Sequence, residues 1–350
     1  MRRITIRGTT EYDVLIEYGL LAEAGTLIRE TLGGEKALIV SDTKVADIYL
    51  DIVKSSLAAS GYEVSCALVK PGDGSKTIEN YSKLINNLAE NSYGSADILV
   101  ALGGGMIGDL AGFTAATYKR GMQLVQLPTS LLAAVDSSVG GKNALNTNKA
   151  KNQIGTIRNP SLVICDPSVL ETLDERAMKD GYAEVIKYGV LNGPEITDAL
   201  RAARESGDYT EVISRAVEIK RDIVEMDEGD VYFRQYLNLG HLVGHAIEAS
   251  RNYAIGHGAA VARGLAIETR CCALAGYTEI STYIEITALL EEFGFDNSDT
   301  YRLEDLMPFM VNDKRIRDGS IQIIVPKHMG ECDMHRLDAD KLESFIKLGL

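Results

Sequence analysis

Apolar residues in the first half of the chain come in short unbroken runs, separated by stretches of helical periodicity. Lys36–Ser41 (KALIVS) is one such run, ending at Asp42, with a helical pattern following to about Ala58. Tyr62–Val69 is the next, and the turn Pro71-Gly72-Asp73-Gly74 separates it from a helical stretch from about Thr77 to Glu90. Asp97–Leu102 (DILVAL) runs straight into three glycines and another helical pattern; Met122–Leu127 and Leu162–Cys165 repeat the short apolar form. Such runs, interleaved with helices, predict a mostly parallel sheet covered on both faces. From about Asp174 to Phe293 the apolar positions recur at helical spacing instead, with Pro194 the one proline. Near the end, only Ile321–Val325 predicts a strand, paired with something local, and residues 294–301 predict an exposed loop. The expected fold is an α/β N-terminal domain, residues 1–166, followed by a mainly α-helical C-terminal domain, residues 167–350. The break falls between Pro160 and Leu173.

Composition narrows the class. The 350 residues carry 36 Lys+Arg against 50 Asp+Glu, a formal charge of −14, and 45% are hydrophobic. That is an ordinary globular composition, long enough to bury a sizeable core. The acidic excess disfavours nucleic acid or an anionic membrane as a partner, yet a local cluster of lysines inside an acidic protein still suits a small anionic substrate. No apolar run approaches the roughly 20 residues of a membrane span. Five cysteines without a C-x-x-C pair, and arginines at 2, 3 and 7 where a signal peptide needs apolar residues, predict a cytoplasmic protein with reduced thiols.

Three segments carry candidate chemistry. Gly103-Gly104-Gly105-Met106-Ile107-Gly108-Asp109 follows a strand and opens a helix. Glycines there let a diphosphate approach the backbone, and the free N–H groups of the helix start bind its oxygens. The segment fits G-x-G-x-x-G, but two βα units precede it and no acid sits about 20 residues beyond it. Asp42, at the end of the first strong strand, is instead placed to hold a ribose hydroxyl; a tight turn with no ligand is the plainer alternative. A second segment, Pro128-Thr129-Ser130 leading to Asp136-Ser137-Ser138-Val139-Gly140-Gly141-Lys142-Asn143, with Lys149, Lys151 and Asn152 beyond, suits an anion site, against the alternative of a solvated loop. Third, His241, His245 and His257 fall within 17 residues, the first two sharing a face of an expected helix over Leu237–Ala249. Residues 242–244 are Leu-Val-Gly, so this is not H-E-x-x-H. Upstream, Glu184 and Lys187 lie three apart on a helix. One carboxylate and two imidazoles leave an open coordination position, the pattern of catalytic zinc. A core histidine and a surface Glu/Lys pair are the plain alternatives.

Taken together, the segments resemble the 3-dehydroquinate synthase family of sugar phosphate cyclases. The resemblance spans most of the chain: GGGMIGD at Gly103–Asp109, Lys119-Arg120-Gly121, Pro128-Thr129-Ser130-Leu131-Leu132, DSSVGGK at Asp136–Lys142, Lys151-Asn152, EVIK at Glu184–Lys187, NLGHLVGH at Asn238–His245, and His257-Gly258. It implies one divalent metal ion, Zn or Co, on Glu184, His241 and His257, with His245 facing the substrate. It implies NAD along Asp42, Asp73, Lys76, Gly104, Gly105, Asp109, Thr129, Ser130, Asp136, Lys142 and Lys151. Contacts to a sugar-acid phosphate would come from Lys142, Asn152, Lys187, Lys220, Arg234, Asn238, His245 and Lys314. Arg120 matches an arginine that reaches the neighbouring subunit's phosphate, which implies a homodimer. The implied reaction turns 3-deoxy-D-arabino-heptulosonate 7-phosphate into 3-dehydroquinate and phosphate by transient oxidation, β-elimination, re-reduction and aldol closure, in the shikimate pathway.

There are departures. Ala259 stands where the family usually has a glutamate after His-Gly; Ala177 replaces the glutamate after Arg176; and Ala150 replaces a glycine before Lys151-Asn152. A sister cyclase acting on a sugar phosphate without a carboxylate, a metal-dependent alcohol dehydrogenase on the same scaffold, and an inactive paralogue are the competing readings. Arg234 and Lys220 favour a carboxylate-bearing substrate over the first. Lys142, Asn152 and Lys314 together are unneeded by the second. A complete ligand set argues against the third.

Overall fold

A computed structural model describes residues 1–147, 151–296, 298, 300–311, 313 and 315–350. Contacts divide the chain into two compact units, residues 1–173 with 208–228, and residues 174–207 with 229–350.

The first unit contains strands β1 (Arg2–Ile6), β2 (Tyr12–Ile16), β3 (Lys36–Asp42), β4 (Glu63–Val69), β5 (Ile98–Gly103), β6 (Gln123–Pro128), β7 (Lys142–Leu145), β8 (Ile154–Ile157) and β9 (Leu162–Cys165). Its first helices are α1 (Leu20–Thr31), α2 (Thr43–Ala59), α3 (Ile78–Glu90) and α4 (Gly105–Thr117). Seven strands form one sheet in the order β1-β2-β9-β6-β5-β3-β4, while β7 and β8 pair with each other as a hairpin. Within the sheet only the β1–β2 pairing is antiparallel. The apolar runs match β3, β4, β5, β6 and β9 to within a residue at each end. Successive residues of a strand face opposite sides, so one face presents Leu38, Val40, Leu99, Ala101 and Leu124. These pack beneath Leu84 and Leu88 of α3 and Ile107, Leu110 and Ala111 of α4. α2 lies on β3 and β4 and packs against α1.

Parallel pairing keeps the strand ends in register: Ser41 lies beside Leu102, and Gly103 beside Pro128. Asp42, the Gly103–Gly105 turn and Thr129-Ser130 therefore emerge along one edge, at the carboxyl ends of the strands, where open α/β sheets bind ligands.

The second unit begins with α5 (Glu175–Asn192) and α6 (Glu195–Ser206). The next helix, α7 (Thr210–Met226), belongs to the first unit, where it packs on β1, β2 and the π-helical turn Ala133–Ser137. This differs from a single cut at residue 166. Helical periodicity says that α7 is a helix, but not which core its apolar face joins. The second unit continues with α8 (His241–Ser250), α9 (His257–Leu274), α10 (Ile280–Glu292), α11 (Leu303–Met310), the hairpin β10 (Ser320–His328) and β11 (Glu331–Asp338), and α12 (Leu342–Gly349). α9 is its axis, packed by α5, α8, α10 and α12. The core joins Val243, Ile247, Cys271 and Cys272 to Ile321, Val325, Phe345 and Ile346.

Several local expectations change. The helix expected over Leu237–Ala249 is interrupted, because Gly240 takes φ 77° and separates a 3-10 turn at Phe233–Asn238 from α8. The segment 294–301 is not uniformly exposed, since Phe295 is buried. The partner of the strand at Ile321–Val325 is β11, adjacent in sequence, as local pairing required. Among the described residues no helix is long and apolar enough to cross a membrane, and the five cysteines are free.

Asp97 ties the start of β5 to the start of β3. Its carboxylate accepts from Gly94 N at 2.6 Å and from Glu35 N and Lys36 N, each at 3.0 Å. Burial alone would raise its pKa, but the three backbone donors hold it below the usual carboxylate value. Its folded pKa is thus below its unfolded one, so the contribution is present above about pH 4 and fades as pH falls through the folded value. Asp97→Ala is expected to cost about 2–3 kcal/mol at pH 7. In urea unfolding from pH 7 to pH 3, the gap between wild type and variant should narrow below about pH 4; a constant gap would contradict the assignment.

Candidate metal centre and nucleotide edge

The three residues singled out as metal ligands converge in the second unit. Glu184, in the buried middle of α5, has no solvent exposure. Its Oε1 lies 3.4 Å from Nε2 of both His241 and His257. His241 and His257 are each the first residue of a helix, α8 and α9. Gly264 brings these helices close enough: a Cβ there would overlap Gly240 O, immediately before His241. The left-handed Gly240 turns the chain into α8 at that point.

The second nitrogen of each ring is also held. His241 Nδ1 is 3.0 Å from Leu239 O, so it donates, which leaves Nε2 as a lone pair facing Glu184. His257 Nδ1 lies 3.2 Å from Glu248 Oε2. Orientation of ligand imidazoles by a carbonyl or carboxylate behind them is usual in metal sites. The donor set, one carboxylate oxygen and two imidazole nitrogens within 4.8 Å of one another, fits a divalent ion with an open position. Electrostatics agree. Burial alone would depress the His257 pKa, but Glu184 and Glu248 on either side push it to about 10, marking a place that attracts positive charge. Burial would raise Glu184, yet Lys187, in contact with its carboxylate, and His241 hold it well below its ordinary value.

Around the triad, His245 is exposed, its ring 5.3 Å from that of His241 and 6.1 Å from that of His257. Lys187 is buried against Glu184, and Arg234 is fully buried in the 3-10 turn that also carries Asn238. Lys314, Lys149 and Ala150 lie outside the described residues. Four residues here have no local sequence signal: Glu248 behind His257, Glu268, Asp180, and Arg315, which pairs with Asp313 at 2.6 Å. Glu268 reaches from α9 to accept from Gly240 N at 3.1 Å and Val243 N at 2.9 Å, capping α8. Burial pushes its pKa up to about 7.

The second constellation lies at the strand-end edge of the first unit. Lys76, buried after β4, donates to Asp109 Oδ2 at 2.7 Å and to Asn152 Oδ1 at 2.6 Å. Asp73 is 3.7 Å from Lys76 Nζ and 3.2 Å from Lys151 Nζ, and also accepts from Asn146 Nδ2 at 3.0 Å. Five of the named residues thus form one network. Gly104 caps α4 without a side chain, next to Ser130, and Thr129 N donates to Gly103 O at 3.0 Å. Asp42 Oδ1 accepts from Lys44 N and Val45 N, so that oxygen caps α2. Lys142 is exposed at the start of β7. Arg120 is exposed beside Lys119, and these two neighbours have left-handed backbones.

Lys220 departs from its expected place. It lies on α7, in the first unit, where it donates to Asp136 O at 2.6 Å and pairs with Asp136 Oδ1 at 2.7 Å.

Two family models match successive parts of the chain. The model for the 3-dehydroquinate synthase N-terminal region matches residues 66–180, and that for the C-terminal region matches residues 181–316. A 3-dehydroquinate synthase from Enterococcus faecalis is 38% identical over 344 residues, covering 97% of this chain and 96% of the relative. In fold the chain is similar to 2-deoxy-scyllo-inosose synthase, solved with carbaglucose-6-phosphate, NAD+ and Co2+, with a TM-score of 0.88, 20% identity and 100% of both chains covered. It is equally similar to 2-epi-5-epi-valiolone synthase from Streptomyces hygroscopicus with NAD+ and Zn2+, with a TM-score of 0.88, 22% identity, and 99% of this chain and 98% of that one covered.

Two measurements probe the constellations separately. His241→Ala removes one of three ligand atoms, so metal content after dialysis should fall from about one ion per chain to near zero. Retained stoichiometric metal would overturn the ligand set. Lys76→Met leaves the Asp109 carboxylate without its cation in a largely buried place, and is expected to cost about 3 kcal/mol in urea unfolding. It should also weaken NAD+ binding in a fluorescence titration; unchanged binding would remove Lys76 from the nucleotide site.

Proposed function

The chain belongs to the 3-dehydroquinate synthase family, and from that premise we propose that it is a 3-dehydroquinate synthase of the shikimate pathway, converting 3-deoxy-D-arabino-heptulosonate 7-phosphate into 3-dehydroquinate and phosphate. The observation that carries this reading over a simple dehydrogenase is that the unit holding the Glu184–His241–His257 triad also buries two cations, Lys187 and Arg234. Lys187 serves Glu184, as it would in any oxidation on this metal site, whereas a fully buried guanidinium at Arg234 suits a substrate carboxylate that a simple alcohol lacks. When bound, NAD+ supplies a reversible oxidation and the divalent ion supplies Lewis acidity at the substrate hydroxyls.

The rest falls to side chains. Glu184, kept ionised by Lys187, and the lone pairs of His241 and His257 hold the ion. Arg234, a permanent cation in a dry place, holds the substrate carboxylate with Asn238 beside it on the same turn. Lys142 and Asn152 hold phosphate oxygens, with Lys187, His245 and Lys314 completing the contacts. Fixing both anionic ends keeps one pose through successive steps, so that each step is unimolecular. Lys76 holds Asp109 and Asn152 in place, setting the edge against which the nucleotide lies together with Asp42, Asp73, Gly104, Gly105, Thr129, Ser130, Asp136 and Lys151. The departing phosphate can itself act as base, so the chain need not supply one. Lys220, held by Asp136 through two of its three donors, adds its charge to the substrate contacts. We place the enzyme in the cytoplasm as a homodimer, with exposed Arg120 reaching the neighbouring site; free cysteines and the absence of a spanning helix among the described residues support the first part.

The reaction returns its cofactor to the starting state. Supplied with substrate, zinc and a small amount of NAD+, the enzyme is expected to release phosphate over many turnovers per NAD+ while absorbance from NADH stays flat. NADH rising one-for-one with substrate consumed, without free phosphate, would make the chain a dehydrogenase.

A further inference from the structure

We propose that Asp180 is a positioning residue for His257, clamping the first turn of α9 onto α5 so that the imidazole meets Glu184. The inference rests on the metal reading of the triad. Its starting point is the spacing on α5: Arg176, Asp180 and Glu184 are four apart and share one face of the helix. The first two grip the segment that delivers the third residue's partner. Arg176 Nη2 donates to Ala254 O at 3.0 Å, and Asp180 Oδ1 accepts from Gly258 N at 2.8 Å. His257 lies between those two attachments, and Glu184 is one turn further along α5, its Oε1 3.4 Å from His257 Nε2.

The approach is too close for side chains on the gripped segment. A Cβ on Gly258 would overlap the Asp180 backbone, and one on Gly256 would lie 2.6 Å from Asp180 Oδ1. Glycine on both sides of His257 is therefore a requirement of the clamp. Helix α9 starts with N-cap Gly256, which has no side-chain oxygen, and carries Ala259 at its third position. A glutamate at that position commonly reaches back to cap its own helix. Here the carboxylate comes from a different helix, which satisfies the α9 amide and also fixes α9 relative to α5. The same device recurs at the other imidazole: His241 also opens a helix, α8, and Glu268 of α9 caps it across the helix boundary. Each ligand histidine thus sits where a helix start is fastened to a neighbour by a carboxylate.

Zinc affinity by competition with a chromogenic chelator, together with the visible absorption of the cobalt-substituted protein, tests the clamp. Asp180→Ala is expected to weaken zinc roughly 10- to 100-fold and to change the cobalt spectrum. Asp180→Asn keeps an acceptor oxygen for Gly258 N and should stay within about threefold of wild type, because the effect works through that hydrogen bond. Adding Ala259→Glu to Asp180→Ala supplies a cap from within α9 without the tie to α5, so most of the loss should remain; full recovery by that cap would reduce Asp180 to a helix cap. An Asp180→Ala protein with native circular dichroism, wild-type zinc affinity and an unchanged cobalt spectrum would reduce Asp180 to a helix cap and overturn the proposal. So would an Asn variant as weak as the Ala variant. Wild-type protein that binds no zinc would be a different failure, that of the metal reading itself.

Discussion

The buried charge of Glu184 is the constraint around which the second unit is arranged. A carboxylate with no exposure stays ionised only if positive partners replace the water it has lost. Lys187, one turn along α5, supplies the first, while His257 stands between two carboxylates, Glu184 and Glu248. Those two carboxylates push the His257 pKa up to about 10, so the spot favours positive charge, whether a proton or a metal ion. Either solution requires α5, α8 and α9 to meet, and that sets the sequence elsewhere: glycines at 240, 258 and 264, small residues through the first turns of α9, and caps supplied from neighbouring helices. In this unit the chemistry dictates the packing as much as the packing serves the chemistry.

The first unit solves a different problem with similar means. Its strand ends form a polar edge above an apolar sheet, and that edge keeps its shape through Lys76, which is nearly inaccessible and holds Asp109 and Asn152 together. Burial raises the Asp109 carboxyl, whereas neighbouring lysines outweigh burial at Asp73 and lower it, so two acids beside one lysine in space sit in different electrostatic settings. The glycine loop contributes backbone rather than side chains. Gly104 begins α4 with no side chain of its own, and a Cβ on Gly105 would lie 2.9 Å from Ser137 Oγ. Glycine, lysine and carboxylate here form one surface.

How much of this was legible in the sequence depends on how local the cause was. Strands β3, β5, β6 and β9 are buried on both faces and announce themselves as continuous apolar runs. β1 passes unnoticed because Arg2, Arg3 and Thr5 occupy its outer positions, and Arg3 and Thr5 bond to Asp13 on β2. β7 and β8 are four residues each, too short to show a period. The clustering of His241, His245 and His257 in the sequence pointed to a candidate metal site, the resemblance selected Glu184, His241 and His257 from it, and the structure brings those three together. Glu268 and Asp180 were not legible, because a carboxylate that caps a helix from outside it has no fixed spacing to the helix it serves, and neither has Glu248, which backs an imidazole on the next helix. Spacing reports what lies on one element; it says little about what two elements do to each other.

Lys220 shows the same limit from the side of a residue that was noticed. Its type and the family pattern mark it as a cation of the site, and its position in the chain suggests the helical unit. α7, however, returns to the first unit, and the ammonium group settles on Asp136, using both the carbonyl and the carboxylate. Two of its three donors are thereby engaged with one residue. That residue belongs to a five-residue π-helical turn, a rare geometry that is frequent at functional sites. The turn carries Ser137 against Gly105, so a charge anchored on Asp136 also fixes the turn beside the start of α4. A lysine tethered in this way contributes positive charge near the strand-end edge of the sheet unit, and its position is set by the turn it holds rather than by the helix that carries it.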